Sequence, residues 1–376
     1  MNVPILDLKT QYASLKPEIN VAIERVLEHG TYTLGPEVTT LEKTLANYCH
    51  IPFSLGTSNG TDSLLLAMMA FDLQPGDEVI TSAFSFFATC ETISLLHGKP
   101  VFVDIDPKTF CIDVKKIEAS ITPKTKAIIP VHIFGQCADM EPIVEIAKKY
   151  DLIVIEDACQ AIGAKYKGRM ACSMGDFTAM SFYPSKNLGT YGDGGMLFVK
   201  DEKHFIIARE LRTHGEYPKT YQPNRIGMNA RLGAIEAAVL NVKFKYLEKW
   251  NEQRRAVAQY YYELLENEGL LQHVTPPAVP SYNYHVYHLY VLLTNYKHEL
   301  QSYLTSQGIG TGNHFPIPLP LLKCYQSLGY RPIDFPVAEK ICASSLAVPM
   351  YPEITREQQE YVVSKIKAFY RNIVTH

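Results

Sequence analysis

The sequence predicts an α/β protein: a large domain with a mostly parallel sheet covered by helices, followed by a smaller α+β domain. Three observations carry this. Short β-rich runs alternate with helical stretches from about residue 53 to 200. Several runs are apolar on successive residues, which suits strands buried on both faces. After about residue 230 the pattern changes to a long helical stretch and proline-rich connections. The expected division is residues 1–240, including an N-terminal helical segment, and residues 241–376.

The elements follow in order. Strand runs are read at "FSLGTS", "EVITSAF", "KPVFVDID", "KAIIPVHIF", "LIVIEDA", "FTAMSFY" and "GMLFV". Helical stretches such as "TDSLLLAMMAF" and "DMEPIVEIAKKY" separate most of them, as in a sheet wound by crossovers. "RLGAIEAAVLNVKFKYLEKWNEQRRAVAQYYYELLE" has no glycine or proline after Gly233 and reads as one long helix joining the two parts. Beyond it, "YHVYHLYVLL" is a strand candidate and "REQQEYVVSKIKAFYRNI" an amphipathic helix.

Composition removes several function classes. The 376 residues carry a formal net charge of -3, with no long basic run to bind nucleic acid or an anionic membrane. The start, "MNVPILDLKTQYASLK", lacks the basic and apolar regions of a signal peptide, and no apolar stretch approaches a bilayer span. The cysteines form no C-x-x-C pair. They read as free thiols of a cytoplasmic protein, not as a disulfide or zinc framework.

Four constellations carry chemistry. In "LGTSNGTDSLLLAMMA" a strand ends at small polar residues and a helix starts near Thr61, which makes an anion site or an ordinary helix cap. In "LIVIEDACQA" a strand runs out at Glu156 and Asp157. Asp157 follows four apolar residues and needs a partner if buried; Glu156 points to the other side of the pleat. In "MSFYPSKNLGTYGDGGMLFV", Lys186 sits in a turn between two apolar strands. It lies about thirty residues after Asp157, read as one strand–helix–strand excursion, so the two can meet at one sheet edge. Such a lysine either snorkels to solvent or forms Schiff bases. Gly189, Gly192, Gly194 and Gly195 follow it, as if the backbone turned sharply and packed close behind. In "SAFSFFATCETI" the phenylalanines suit either an aromatic core or a stacking face for a planar ring. A phosphate cradle, an aromatic face, a carboxylate and a lysine at strand ends together fit pyridoxal phosphate.

These motifs, with "GMNARL", "LRTHGE", "HFPIPLP" and "SLAVPMYPEIT", resemble the DegT/StrS family of nucleotide-sugar aminotransferases. The resemblance covers nearly the whole chain. It implies fold type I, the architecture of aspartate aminotransferase, and pyridoxal phosphate as cofactor, with pyridoxamine phosphate as its other form. It implies that Lys186 binds the cofactor covalently and moves protons, and that Asp157 pairs with the pyridine nitrogen. Gln160 would lie beside the phenolic oxygen and Phe86 would stack on the ring. Gly60, Thr61 and Ser181 would contact the phosphate, and Asn229 would reach the phosphate of a neighbouring subunit in a homodimer. Arg231 and His314 match substrate contacts; a histidine simply packed beside Pro316 is the alternative for His314.

The resemblance also implies a reaction. An amino group passes, usually from glutamate, to a keto carbon of a nucleoside-diphosphate sugar, for surface polysaccharide or lipopolysaccharide synthesis. "HIFGQCADM" is similar to the form found among relatives acting on 3-keto sugars, where 4-keto relatives more often have alanine before the glycine. Phe315 stands where many relatives have tyrosine. The alternatives are a 4-keto sugar aminotransferase and a non-catalytic regulatory protein. A sugar dehydratase would have histidine in place of Lys186. A dinucleotide-dependent dehydrogenase lacks support, because "GDGG" follows a late strand with the wrong spacing.

Overall fold

The computed structural model describes residues 1–374. All seven strand runs form. They are β1 (Phe53–Thr57), β2 (Glu78–Ser82), β3 (Lys99–Val103), β4 (Thr125–Ile129) and β5 (Ile153–Asp157), then, past the short β6 (Lys165–Tyr166) and β7 (Arg169–Met170), β8 (Phe177–Ser181) and β9 (Gly195–Val199). The sheet order is β1-β9-β8-β5-β4-β2-β3. Pairs β2–β3, β2–β4, β4–β5 and β5–β8 are parallel; only β9 runs against its neighbours.

Successive apolar residues serve opposite faces, as the pattern required. Ile80, Ile128, Val154, Met180, Met196 and Phe198 pack into one core. Their neighbours Val79, Ala127, Ile129, Ile155, Ala179 and Leu197 pack into another, with the helix Gly60–Ala70. Both faces are therefore dry, and the side chains at strand ends are what the sheet presents to ligands.

Two elements differ from expectation. The connection from β5 to β8 holds no helix; it is a loop with the β6–β7 hairpin. The long helical pattern is two helices, Ala234–Phe244 and Leu247–Asn267. At the corner the N–H groups of Lys245 and Tyr246 bond three residues back instead of four. Both side chains reach Glu18 on the helix Leu8–His29, which fixes the bend.

The later part of the chain adds β10 (Val274–Thr275), β11 (Asn283–Tyr284), β12 (Tyr290–Thr294) and β13 (Ser345–Val348). β10, β12 and β13 form an antiparallel sheet, and the helices Leu247–Asn267, Lys297–Ser306 and Arg356–Val374 share its core. Val3 joins that core, bonded through its backbone to Gly308 and Gly310. β11 crosses back and pairs with β6, so the two parts are tied beside the sheet's functional edge.

Candidate active site

The carboxyl ends of β1, β2, β5 and β8 lead to one edge. Asp157 on β5 stands opposite Ala179 on β8, and Ser181 opposite Gly195 on β9. The helix Gly60–Ala70 starts there. A Cβ on Gly60 would lie 2.8 Å from Cys159 Sγ and 3.0 Å from Ser181 Cβ, so only glycine lets the three segments meet. Asn59 caps the helix, its Oδ1 accepting from the Asp62 N–H at 2.7 Å. The N–H groups of Gly60 and Thr61 have no partner among the described residues. They are orphan donors at the positive end of a helix dipole. Ser58 is not free for an anion, because its hydroxyl is bonded to Asp62.

Asp157 is buried. Its Oδ2 accepts from Thr89 Oγ1 at 2.7 Å, and Thr89 in turn meets Ser85 Oγ at 2.8 Å. Its Oδ1 accepts from the Cys159 N–H at 3.2 Å. Glu156 goes to the other face. It accepts from His132 Nε2 at 2.9 Å, from the N–H groups of Met174 and Gly175 at 2.7 Å, and from Cys172 N–H and Thr178 Oγ1. Burial pushes the Glu156 carboxyl up, but the His132 and backbone donors outweigh it and hold the group below its ordinary range. His132 Nδ1 accepts from the Ala138 N–H, which leaves Nε2 as the donor to Glu156.

Lys186 lies in a turn after β8, closed by its own N–H to the Tyr183 carbonyl at 2.8 Å and by Thr190 N–H to the Phe182 carbonyl at 2.8 Å. Its Nζ has no hydrogen bond or ion pair among the described residues. Burial lowers the proton affinity of this amine, against the pull of Cys159 and Asp157. Of the four glycines after it, Gly189, Gly194 and Gly195 act by close packing and not by left-handed backbone. None of the four has a positive φ. A Cβ on Gly189 would sit 2.5 Å from the Pro184 carbonyl oxygen, and one on Gly195 would sit 2.4 Å from Asn59; Gly192 has room to spare.

Gln160 turns its Oε1 to the Phe134 N–H at 2.7 Å and holds that residue in its left-handed conformation. The Phe86 ring is 59% exposed, an uncovered apolar face at the sheet edge. Phe315 packs on Phe84 and Phe86, with ring centroids 5.7 and 6.3 Å away. This gives a packing reason for a ring without a hydroxyl there. His314 precedes it and is neutral, held so by burial and then by the charge of Lys186. Asn229 is exposed; its Oδ1 accepts from Arg231 Nε at 2.9 Å. Neither has a described contact with Lys186 or Asp157, so the structure leaves this pair outside the chain's own cluster.

The model of the DegT/DnrJ/EryC1/StrS aminotransferase family matches residues 13–367. The chain belongs to that family. The aminotransferase is 48% identical over 372 residues to a protein of Geobacillus stearothermophilus named a pleiotropic regulatory protein, covering 99% of this chain and 100% of that one. It is 41% identical over 350 residues to the UDP-2-acetamido-2-deoxy-3-oxo-D-glucuronate aminotransferase of Pseudomonas aeruginosa, covering 93% and 95% of the two chains. Its fold matches NtdA of Bacillus subtilis, solved with bound cofactor PMP, at a TM-score of 0.91 and 32% identity, covering 98% of this chain and 85% of that one.

The enzyme is a pyridoxal-phosphate-dependent aminotransferase, and its residues fit the cofactor on three observations. The helix start offers unpaired N–H groups where Gly60 admits close approach. The Phe86 face is uncovered. The Lys186 amine, without a hydrogen bond or ion pair among the described residues, lies at the same edge as a buried carboxylate.

Sequence reasoning missed three residues of this aminotransferase site. Thr89 was passed over in a segment read only for its phenylalanines, yet it donates to Asp157. Asn187 donates to Asn251 Oδ1 at 2.8 Å and to the Val286 carbonyl at 3.0 Å, tying the Lys186 turn to the later half of the chain. His288 is buried in "YHVYHLY", and its Nδ1 has no hydrogen-bond partner among the described residues. Burial first, then the charges of Lys186 and Arg254, keep this imidazole neutral. The signal for His288 was a polar ring inside a strand candidate.

Proposed function

We propose that this aminotransferase moves an amino group from glutamate to carbon 3 of a nucleoside-diphosphate-linked keto sugar. The observation that carries the reading is the convergence of Lys186, Asp157 and the Gly60 helix start on one sheet edge. The carbon-3 assignment is supported by the "HIFGQ" motif and by the 3-oxo sugar in the name of the Pseudomonas relative.

Pyridoxal phosphate supplies an aldehyde that exchanges amines and a ring that draws electrons when its nitrogen is protonated. Asp157 would keep that proton on the ring nitrogen, oriented by Thr89. Phe86 would cover one ring face, and Gln160 would face the phenolic oxygen. Gly60, Thr61 and Ser181 would take the phosphate, the first two through backbone N–H groups. Lys186 would hold the cofactor and, once displaced, take and return a proton at the carbon that carries the nitrogen. Its lowered proton affinity keeps a share of the amine neutral for that task. His314 would contact the sugar. Asn229, which is exposed, would reach the phosphate of a second copy in a homodimer, and Arg231, which is half-buried, would contact the sugar.

We divide the chain near residues 240 and 241, supported by a second hydrophobic core drawn mainly from residues between Val257 and Tyr370. We assign the enzyme to the cytoplasm, in surface polysaccharide or lipopolysaccharide synthesis. Support comes from its eight free cysteines. No described helix is long and apolar enough to cross a membrane.

The name of the Geobacillus relative favours a second reading, a regulator that binds the cofactor without turnover. The test is product mass after incubation with glutamate and UDP- or dTDP-linked 3-keto and 4-keto sugars. Amino transfer to the 3-keto sugar is expected. Transfer to the 4-keto sugar alone overturns the position, and no transfer with the cofactor bound favours the regulator.

A further inference from the structure

A second lysine lies behind the Lys186 turn. Lys243, on the helix Ala234–Phe244, is 1% exposed. Its Nζ donates to the Gly189 carbonyl at 2.7 Å and sits 4.1 Å from the centre of the Tyr191 ring. Glu353 is near enough to attract it but forms no ion pair with it. An ammonium so enclosed is costly, and packing alone would be served as well by an apolar chain of the same length. Burial shows in the amine itself, whose pKa falls to about 8.

What the lysine holds explains why it is there. Gly189 ends the turn that carries Lys186, pressed against the carbonyls of Tyr183 and Pro184 so closely that a Cβ would be 2.8 and 2.5 Å from their oxygens. Lys186 itself bonds back to the Tyr183 carbonyl. Asn187 ties the same turn to a second place in the fold, through Asn251 and Val286. The turn is thus held at Asn187 and at Gly189, one and three residues after Lys186.

We propose that Lys243 is a positioning residue for Lys186: through the Gly189 carbonyl it sets where the Lys186 amine stands, at a cost in stability. This rests on the reading of Lys186 as the cofactor lysine.

The experiment compares wild type with Lys243→Met, which keeps length without a donor, and Lys243→Arg, which keeps donors. The reconstituted enzymes are assayed for kcat and KM, melted, and reduced with borohydride at timed intervals so that cofactor fixed on Lys186 can be counted by peptide mass. For Lys243→Met the expected result is a kcat about tenfold lower, as for one lost bond to a charged group. KM should stay within about twofold, attachment to Lys186 should slow in parallel, and the melting point should be unchanged or higher. Lys243→Arg should recover most of the rate. An unchanged kcat and attachment rate in Lys243→Met overturns the proposal, as does a loss of rate that follows a lowered melting point and is not recovered by arginine. If the methionine variant does not fold, Lys243→Leu, which also lacks a donor, takes its place, and a leucine variant as fast as wild type overturns the proposal. A wild-type protein with no cofactor on Lys186 would instead sink the underlying reading.

Discussion

Glu156 and Asp157 follow one another at the end of β5, and the pleat sends them to opposite faces of the sheet. Both are buried carboxylates. On the Glu156 side every donor comes from the chain: His132, Thr178 and the N–H groups of Cys172, Met174 and Gly175. That carboxylate is saturated, and its work is to fold the loop before β8. On the Asp157 side one hydroxyl and one N–H hold the group, leaving acceptor capacity at the edge where Lys186 lies. Burial alone does not separate a structural acid from a working one. The number of partners the fold already supplies does.

The comparison can be broken from the working side first. Lys186→Ala should lower kcat by on the order of 10³-fold or more, with folding intact by circular dichroism. A variant that transaminates at near the normal rate would remove the basis for calling this face catalytic. The paired acids come next. Asp157→Asn should cost on the order of 10²-fold in kcat with little change in unfolding free energy. Glu156→Gln should do the reverse, losing about 1–3 kcal/mol in denaturant titration because its amide nitrogen would face backbone donors. If both substitutions act alike, the division between the two faces is wrong.

Thr89→Val sharpens the working side, because it removes the hydroxyl that orients Asp157 and little else. A loss of about tenfold in kcat is expected, with KM for the sugar nearly unchanged. The smallest effect is in pH. The folded pKa of Glu156 lies below its ordinary value, so its contribution is complete above that value and is lost as pH falls through the lowered one. The stability gap between wild type and Glu156→Gln should therefore narrow as pH falls below the ordinary value of 4.5 in urea unfolding. A gap that widens on acidification would contradict the assignment.

Much of this was legible because strand ends are where an α/β sheet meets its ligands. Lys186, Asp157, Gly60 and Ser181 each end or follow a strand, so reading the strands also gathered the residues. The partners were hidden for the same reason. Thr89 meets Asp157 across 68 residues of sequence, and nothing in either segment announces the other. His288 comes from the far half of the chain, beyond the crossing made by β11 and β6. The β5–β8 connection was misread as helical because parallel neighbours ordinarily have a helix between them, whereas here a hairpin spans the gap. Close packing behind Lys186 was read from its glycines, and the structure has it at Gly189, Gly194 and Gly195 but not at Gly192.

The central claim is that Lys186 is where the cofactor is held. It is tested most directly by reducing the pyridoxal-phosphate-loaded protein with borohydride and finding the modified lysine by peptide mass. The account predicts a single pyridoxyl group on the peptide containing Lys186. It also predicts that prior treatment with glutamate removes that mark, since the amino group taken up displaces the lysine. A mark on another lysine, Lys243 included, or none on a protein that still transaminates, would contradict it.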